Sequence, residues 1–369
     1  QVLMNFILSY FGSHLGFCRI QFIEEKMEIK VIKNINEFKN SEKSWNSLYN
    51  TINERSVFQS FEFNYYSWIY QLNNNRNTLA LVIVYNEGKI IAVFPFYIDN
   101  NKRLRFINDN HADFCDYLSV EIFDLDLVLK KLKEHFLINS FNFINLMHDA
   151  RILLCSKVST YSKLYEYTAE YSVLELNQGI FPENFINYKS KQKTEFRRVL
   201  KKNIDRGHEV FSSDNNPFPR KEINKLRDKM IALGIRNSSF LPLNQLLLIE
   251  KLYQNRKIIL SIVKDQKTIN AISFIIKDSD KYLIWIDLYD NSKMINIFNY
   301  ISLMTVLSSN NAVIINFGRG GYGYKISNFL PKVMYLSSFH IFNSKWQELK
   351  FYFLRFVKEL LKSIYKKIK

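Results

Sequence analysis

Residues 313–329 read VIINFGRGGYGYKISNF. The β-branched apolar run Val313, Ile314 and Ile315 predicts a buried strand. That strand runs into Gly318, Gly320, Gly321 and Gly323, with Arg319 inside the cluster and Lys325 just beyond it. The chain holds only ten glycines, so four within six positions is a strong local bias. Glycine lets backbone N–H groups approach a ligand with no side chain in the way. Two cations beside such a loop point to a phosphate, a pyrophosphate or a developing oxyanion. The plainer reading is a turn between two strands with its cations in water, and loop chemistry alone does not separate the two.

Two familiar phosphate loops are excluded. Gly318, Gly320 and Gly323 match G-x-G-x-x-G, but a dinucleotide site also needs a long helix next and an acidic residue about 20 positions on. Asn328 and Pro331 interrupt such a helix, and Ser337, Ser338 and Phe339 occupy the acidic position. A P-loop needs Gly-Lys-Ser/Thr in a row. Here Tyr324 separates Gly323 from Lys325, and Ile326 follows the lysine.

Moving outward, the 369 residues are 47% hydrophobic, enough for a packed core and about two domains. With 31 Phe and 22 Tyr, disorder over most of the length is excluded. The net charge of +16 favours anionic partners: nucleic acid, a phosphorylated cofactor or an anionic membrane face. Part of that excess reflects a composition rich in Lys, Asn and Ile. Cys18, Cys115 and Cys155 are too few and too far apart for a disulfide framework or a zinc site. The six histidines form no ligand pair at helical spacing, so no metal is expected. No stretch offers the ~18 uncharged apolar residues that span a bilayer. Residues 1–26 lack a cationic start and a clear cleavage site, and Met27 opens MEIKVIKNINEF, which reads as a fresh strand. Met27 is therefore expected to be the native start, and residues 1–26 an upstream extension without function.

From Met27 strand and helix alternate. Strands are expected at 28–32, 79–85, 90–98, 104–107 and 143–146, with helices at 41–51, 61–72 and 125–136. Pro95 inside the third of these strands implies an edge or a bulge. The second half repeats the grammar. It has a strand at 172–175, a long basic helical region at 181–206, helices at 221–233 and 243–254, a hairpin at 258–277, a strand at 282–288, a helix at 295–308 and a strand at 313–317. The hairpin NEGKIIAVFPFYI echoes KDQKTINAISFIIK in shape, which points to an internal duplication. The expected units are residues 27–170, residues 171–343 and a basic amphipathic helix at 344–369. In that helix Trp346, Leu349, Phe353, Val357, Leu360, Ile364 and Ile368 recur at three- and four-residue steps. Such a helix can lie on an anionic membrane; docking on its own domain is the favoured expectation.

Several segments, in this order, resemble a known group: FQSFEFNYYSW, VFPFYI, RFINDNHADFCDYL, KSKQKTEFRRVLKKN, KTINAISFII and INFGRGGYGYKISNF. The chain resembles the large GNAT-type acyltransferases of the cellulose-biosynthesis (CelD)/BioF2-like and FemAB-like group over roughly Met27 to Pro331. The resemblance implies an α/β fold of two tandem GNAT-like domains, each a mixed, mostly antiparallel sheet flanked by helices. It implies acyl transfer from acyl-CoA (acetyl-CoA first) to an amino sugar or similar acceptor in cell-surface polysaccharide or glycolipid assembly, in the cytoplasm or at the inner membrane face. The alternatives are a FemAB-like aminoacyltransferase that uses aminoacyl-tRNA, and a non-catalytic RNA- or membrane-binding protein on the same scaffold. The family pattern falls on Asp113 and Asp116 as acidic loop, on Phe58 and Gln59, on Arg197 in the basic helix, and on Gly318, Arg319, Gly320 and Lys325 in the last loop. One departure stands out. The glycine turn before the last long helix, where a pyrophosphate would rest on a helix N-terminus, is replaced by DNSKMINIF.

Acyl transfer needs a base near the attacking amine, donors for the tetrahedral oxyanion, and a site that holds both substrates together. Asp113 and Asp116, flanked by Phe114 and Tyr117, are the candidates for acceptor binding and general base, with His111 a competing base. A solvated acidic loop is the plain alternative. Lys325 is assigned to catalysis, and Gly318, Arg319 and Gly320 to the cofactor. Phe58, Gln59, Arg197 and Tyr324 are assigned to substrate, although Gln59 could simply cap the next helix and Arg197 could lie on a solvated helix face. Cys115 has no paired base and is not expected to be a nucleophile.

Overall fold

The computed structural model describes residues 27–74, 76–121, 123–154, 162–176, 179–186, 188–266, 268–278, 280–290, 294–310 and 312–368. The proposed extension at 1–26, Cys18 and Cys155 lie outside them.

In the first half, β1 (Met27–Ile32) leads into α1 (Ile35–Asn40), α2 (Glu42–Thr51), a 3-10 turn at Val57–Gln59 and α3 (Phe61–Ser67). Then come β2 (Thr78–Leu79), β3 (Leu81–Asn86), β4 (Lys89–Phe94), β5 (Phe96–Ile98) and β6 (Arg103–Phe106). After the acidic loop follow β7 (Leu118–Ser119), α4 (Leu125–His135), β8 (Ser140–Leu146) and α5 (Arg151–Leu154). The second half holds β9 (Ser162–Glu175), α6 (Ser190–Lys202), β10 (Arg206–Phe211), α7 (Arg220–Ala232), α8 (Leu243–Gln254) and β11 (Ile258–Asp265). It continues with β12 (Thr268–Asp278), β13 (Lys281–Tyr289), α9 (Ile295–Ser309), β14 (Ile314–Arg319), α10 (Gly323–Phe329), β15 (Lys332–Phe342) and α11 (Lys345–Ile368).

The strands form a four-stranded sheet, β1-β3-β4-β7, and an eleven-stranded sheet, β10-β11-β12-β13-β14-β9-β15-β8-β6-β5-β2. Pro95 sits where the chain leaves β4 in one sheet for β5 in the other. A residue without an N–H is tolerated there because the ladder is already broken. The 170/171 boundary falls inside β9, and β15 pairs with β8 of the first half as well as with β9. One hydrophobic core accordingly joins Phe58 and Phe96 to Leu260 and Phe274. A second lies under α9 and α10, and a third holds Trp45, Phe38 and Phe61 of the first helices.

Each half contains two parallel strands that pair briefly and then part. In the first half β6 and β8 share only Arg103↔Ser140 and Leu104↔Phe141. In the second, β13 and β14 pair only over Lys281–Leu283 and Ile314–Asn316, although β13 runs on to Tyr289 and β14 to Arg319. Where β13 parts, the β12–β13 ladder also slips between Phe274 and Ile275, leaving Trp285 as the extra residue.

Two expectations change. The basic helix is shorter than 181–206, because Phe181, Phe185 and Tyr188 leave the helical track and bury as an aromatic cluster against Phe196. The C-terminal helix does not dock along its apolar stripe. Phe351 meets His340 and Phe342 at ring separations of 5.0 and 5.3 Å, and Arg355 pairs with Glu166. Trp346, Leu349, Phe353, Phe356 and Leu360 lie on the opposite side of the helix and stay exposed. Among the described residues, no helix is long and apolar enough to cross a membrane.

Candidate active site

The acidic loop between β6 and β7 folds back and inserts twice. Its own half comes first. Asn145, at the end of β8, donates through Nδ2 to the carbonyls of Asp109 and Ala112 at 2.7 and 2.9 Å, and the Cys115 N–H donates to Asn145 O at 2.9 Å. The parting of β6 and β8 is thus filled by protein. The same loop then caps the parting of β13 and β14. Trp285 Nε1 donates to His111 O at 3.0 Å, Arg319 donates to Asn110 O at 3.0 Å, and Asp113 Oδ2 accepts the Arg319 N–H at 3.0 Å. Rings seal the contact: Phe58 lies 5.8 Å from Trp285 and Phe114 5.3 Å from Tyr171. Such pairs contribute about 0.5–1.5 kcal/mol each beyond area burial.

Gly318 makes this fit possible. Its φ is +76°, and a Cβ there would stand 2.7 Å from Ile284 O and 2.9 Å from Asp113 Oδ2. The glycine cluster thus serves close packing. Its N–H groups are already engaged: Gly318 donates to Asn316 Oδ1 at 2.9 Å, Arg319 to Asp113, and Gly320 to Glu170 O at 2.7 Å. A phosphate cradle of free N–H groups is not what these three positions present.

Lys325 lies on α10, just after β14. It is buried, with its Nζ donating to Phe317 O at 2.5 Å and 5.0 Å from the Tyr322 ring centroid. Its helix, α10, is fixed by Phe329, which stacks on Phe317 and Phe196 at 5.3 and 5.7 Å, while Tyr188 donates to Phe329 O at 2.8 Å. Burial lowers the Lys325 pKa from its ordinary value, and the charges of Asp287 and Asp113 oppose that shift. Burial raises the Asp113 pKa, opposed by the Arg319 N–H and side chain and by Lys325. A buried carboxylate and a buried ammonium, both bonded to the backbone of β14, thus feel each other's charge.

Sequence reasoning missed the groups behind Lys325. Asp287 on β13 accepts from Ser273 Oγ at 2.7 Å and from the Tyr300 hydroxyl. Tyr300 is in turn hydrogen-bonded to Tyr324, and burial raises both phenols. The chain of bonds continues inward: Asn299 Nδ2 donates to Ser273 Oγ at 2.9 Å, Ser261 Oγ donates to Asn299 Oδ1 at 2.7 Å, and His208 Nε2 lies 2.8 Å from Ser261 Oγ. A lone aspartate in the apolar run YLIWIDLY was the available signal. Arg236, after α7, lies over Phe240 at 4.8 Å and acts electrostatically on Lys325. Its Nε is buried without a hydrogen-bond partner.

The other sequence candidates sit elsewhere or do other work. Asp116 takes the N–H groups of Tyr117, Arg151 and Ile152 at 2.9, 2.7 and 3.1 Å, so it anchors α5, and burial raises its pKa to about 7. Gln59 completes a capping box with Ser56 and donates to Tyr117 O at 2.8 Å. Arg197 is exposed on α6 and pairs with Glu183 at 2.8 Å. His111 is half-buried, and burial and Arg319 lower its pKa. The Cys115 thiol is buried and pushed well up, which makes it inert. Arg198 Nη2 reaches Met294 Sδ at 3.6 Å, which brings the basic face of α6 to the start of α9.

No family model and no curated protein matches this sequence. Solved structures do match in shape. A DUF2156 domain assigned as the C-terminal domain of a lysylphosphatidylglycerol synthetase from Agrobacterium fabrum superposes with a TM-score of 0.56 at 11% identity, over 85% of this chain and 95% of that one. FemX gives 0.56 at 11% identity, over 87% and 99%. A tandem GNAT protein from the clavulanic acid biosynthesis pathway gives 0.50 at 7% identity, over 85% and 98%. These likenesses establish the fold: two GNAT-like domains in tandem, with mixed, mostly antiparallel sheets flanked by helices.

Proposed function

We propose that this chain is an acyltransferase that works in the parting of β13 and β14, by direct transfer in a ternary complex. The observation that carries this reading is Lys325, buried against β14 with its charge coupled to those of Asp113 and Asp287, the latter held by Tyr300. In the reaction, the acceptor amine attacks the donor's ester or thioester carbonyl. The C–N bond forms as the carbonyl π pair moves onto oxygen. The Lys325 ammonium donates to that oxyanion, for which a preorganised donor in a dry site is the efficient solution. Asp113 takes the amine proton, a role suited to a carboxylate with a raised pKa. The oxyanion pair then re-forms the carbonyl as the C–O or C–S bond breaks, and the proton held by Asp113 passes to the leaving oxygen or sulfur. The parted edge of β13 offers backbone groups to an extended donor arm, and Arg236 offers it a cation.

Acyl-CoA is the first donor reading, with an amino sugar or related cell-surface precursor as acceptor. Aminoacyl-tRNA is the second, supported by the net charge of +16, the fold shared with FemX and the absence of a glycine turn before α9. Both donors carry phosphates, which the basic face of α6 beside α9 would meet.

A thermal-shift screen with acetyl-CoA, longer acyl-CoAs, free CoA and bulk tRNA tests the reading. Saturation at about 100 times Kd adds roughly 2.7 kcal/mol of stability. Stabilisation by one CoA species, retained by Lys325→Met while transfer is lost, is expected. Stabilisation by tRNA alone, falling steeply with salt, selects the second donor. Stabilisation by none, with no transfer to any amine acceptor, overturns the proposal.

A further inference from the structure

We infer that α11 is a docking element for an anionic lipid surface. The helix has 24 residues and is about 36 Å long. Only Phe351 and its neighbours face the protein; the stripe at Trp346, Leu349, Phe353, Phe356, Leu360 and Ile364 follows three- and four-residue steps on the other side. These six side chains are 74, 61, 65, 66, 49 and 47% exposed. Each large apolar side chain left in water forgoes about 1.5–3 kcal/mol of burial, and a contiguous apolar face of this size marks an interaction surface.

Charge chooses the occupant. Residues 345–369 carry eight Lys and Arg against Glu348 and Glu359. Lys345 and Lys350 are exposed on the two flanks of the stripe. An aromatic and aliphatic face bounded by lysines is the pattern of a helix that lies in a membrane interface with its ammonium groups at the headgroups. A second copy of the same helix would set like charges against each other. The helix is not a membrane span, so the association is peripheral. It stands independently of the transferase reading.

The test uses the full chain with vesicles of phosphatidylcholine alone and vesicles in which part of it is replaced by phosphatidylglycerol. Co-sedimentation with the anionic vesicles only, weakening with salt, is expected. Trp45 and Trp68 are buried and Trp285 half-buried, so a blue shift of emission on binding would report Trp346. Lys345→Glu and Lys350→Glu should each weaken binding by about fivefold or more. Trp346→Ser with Phe353→Ser should abolish the anionic binding while leaving the melting temperature unchanged. Absence of anionic binding, binding indifferent to lipid charge or to these substitutions, or a lipid-free dimer that these same substitutions dissociate would overturn the inference.

Discussion

Asp113 and Arg319, 206 positions apart, are joined by a 3.0 Å hydrogen bond from the Arg319 N–H to the Asp113 carboxylate. That bond ties a loop from the other half of the chain to β14 beside its parting from β13. It depends on the residue before Arg319, because only a glycine leaves room for Ile284 O and Asp113 together.

Gly318→Ala therefore tests the joint. Its φ of +76° alone costs an L-residue about 1–2 kcal/mol, and the methyl group must also push back a carbonyl. Denaturant unfolding should show a loss of about 2 kcal/mol or more, and transfer should fall by roughly two orders of magnitude through displacement of Asp113 and Arg319. Unchanged transfer in the folded variant would mean that the joint does not position the reacting groups.

How much of this was legible in the sequence follows physical lines. The glycine cluster, Lys325 and Asp113 were singled out because a glycine bias and carboxylates beside aromatic residues are local signals. What Gly318 does was not legible, because its neighbour Ile284 lies on another strand. β15 was missed because KVMYLSSFHIF mixes Lys, Ser and His into a strand that is paired on both sides. Asp116 and Asp113 look alike in sequence; only the N–H groups of Arg151 and Ile152 give one of them a structural role. Asp287 stayed hidden because its partners come from β12 and α9.

The pH profile of transfer should be bell-shaped. Asp113 must be ionised to accept a proton, and its pKa is raised by burial, so activity is lost as pH falls, at a pH above the ordinary aspartate value. Lys325 must be charged to donate, and its pKa is lowered by burial, so activity is lost as pH rises, at a pH below the ordinary lysine value. Lys325→Arg should retain partial activity and push the alkaline limb out of range, since arginine stays protonated. Lys325→Met should lower kcat by about two to three orders of magnitude. An alkaline limb that persists unchanged in Lys325→Arg would assign it to another group.

Gln59 gives the contrasting case. Its side chain accepts the Ser56 N–H at 2.8 Å and donates to Tyr117 O at 2.8 Å, both inside the protein. Gln59→Leu leaves these groups unpaired, and unfolding measurements should show a loss of about 1–3 kcal/mol per orphaned group. The kcat of the folded variant should stay within a few-fold of the parent. A large kcat loss without destabilisation would place Gln59 at the substrate instead.

The last prediction concerns acid stability. His340 is buried between Ser338 and the rings of Phe342 and Phe351. Burial pushes its pKa down to about 4; Glu166 opposes the shift, and Arg355 and Arg103 add to it. In the unfolded chain the imidazole titrates near 6.5. Between those values the unfolded state binds a proton that the folded state refuses. The stability due to this group is therefore full above about pH 6.5 and lost as pH falls toward 4, at up to about 1.4 kcal/mol per pH unit. Buried Asp109, with a pKa raised to about 6, acts in the opposite sense, so the group is isolated by comparison with a variant. His340→Phe should lose about 2–3 kcal/mol less than the parent chain between pH 6.5 and pH 4, read from denaturant midpoints at each pH. Parallel curves for the two proteins would show that His340 accepts its proton in the folded state.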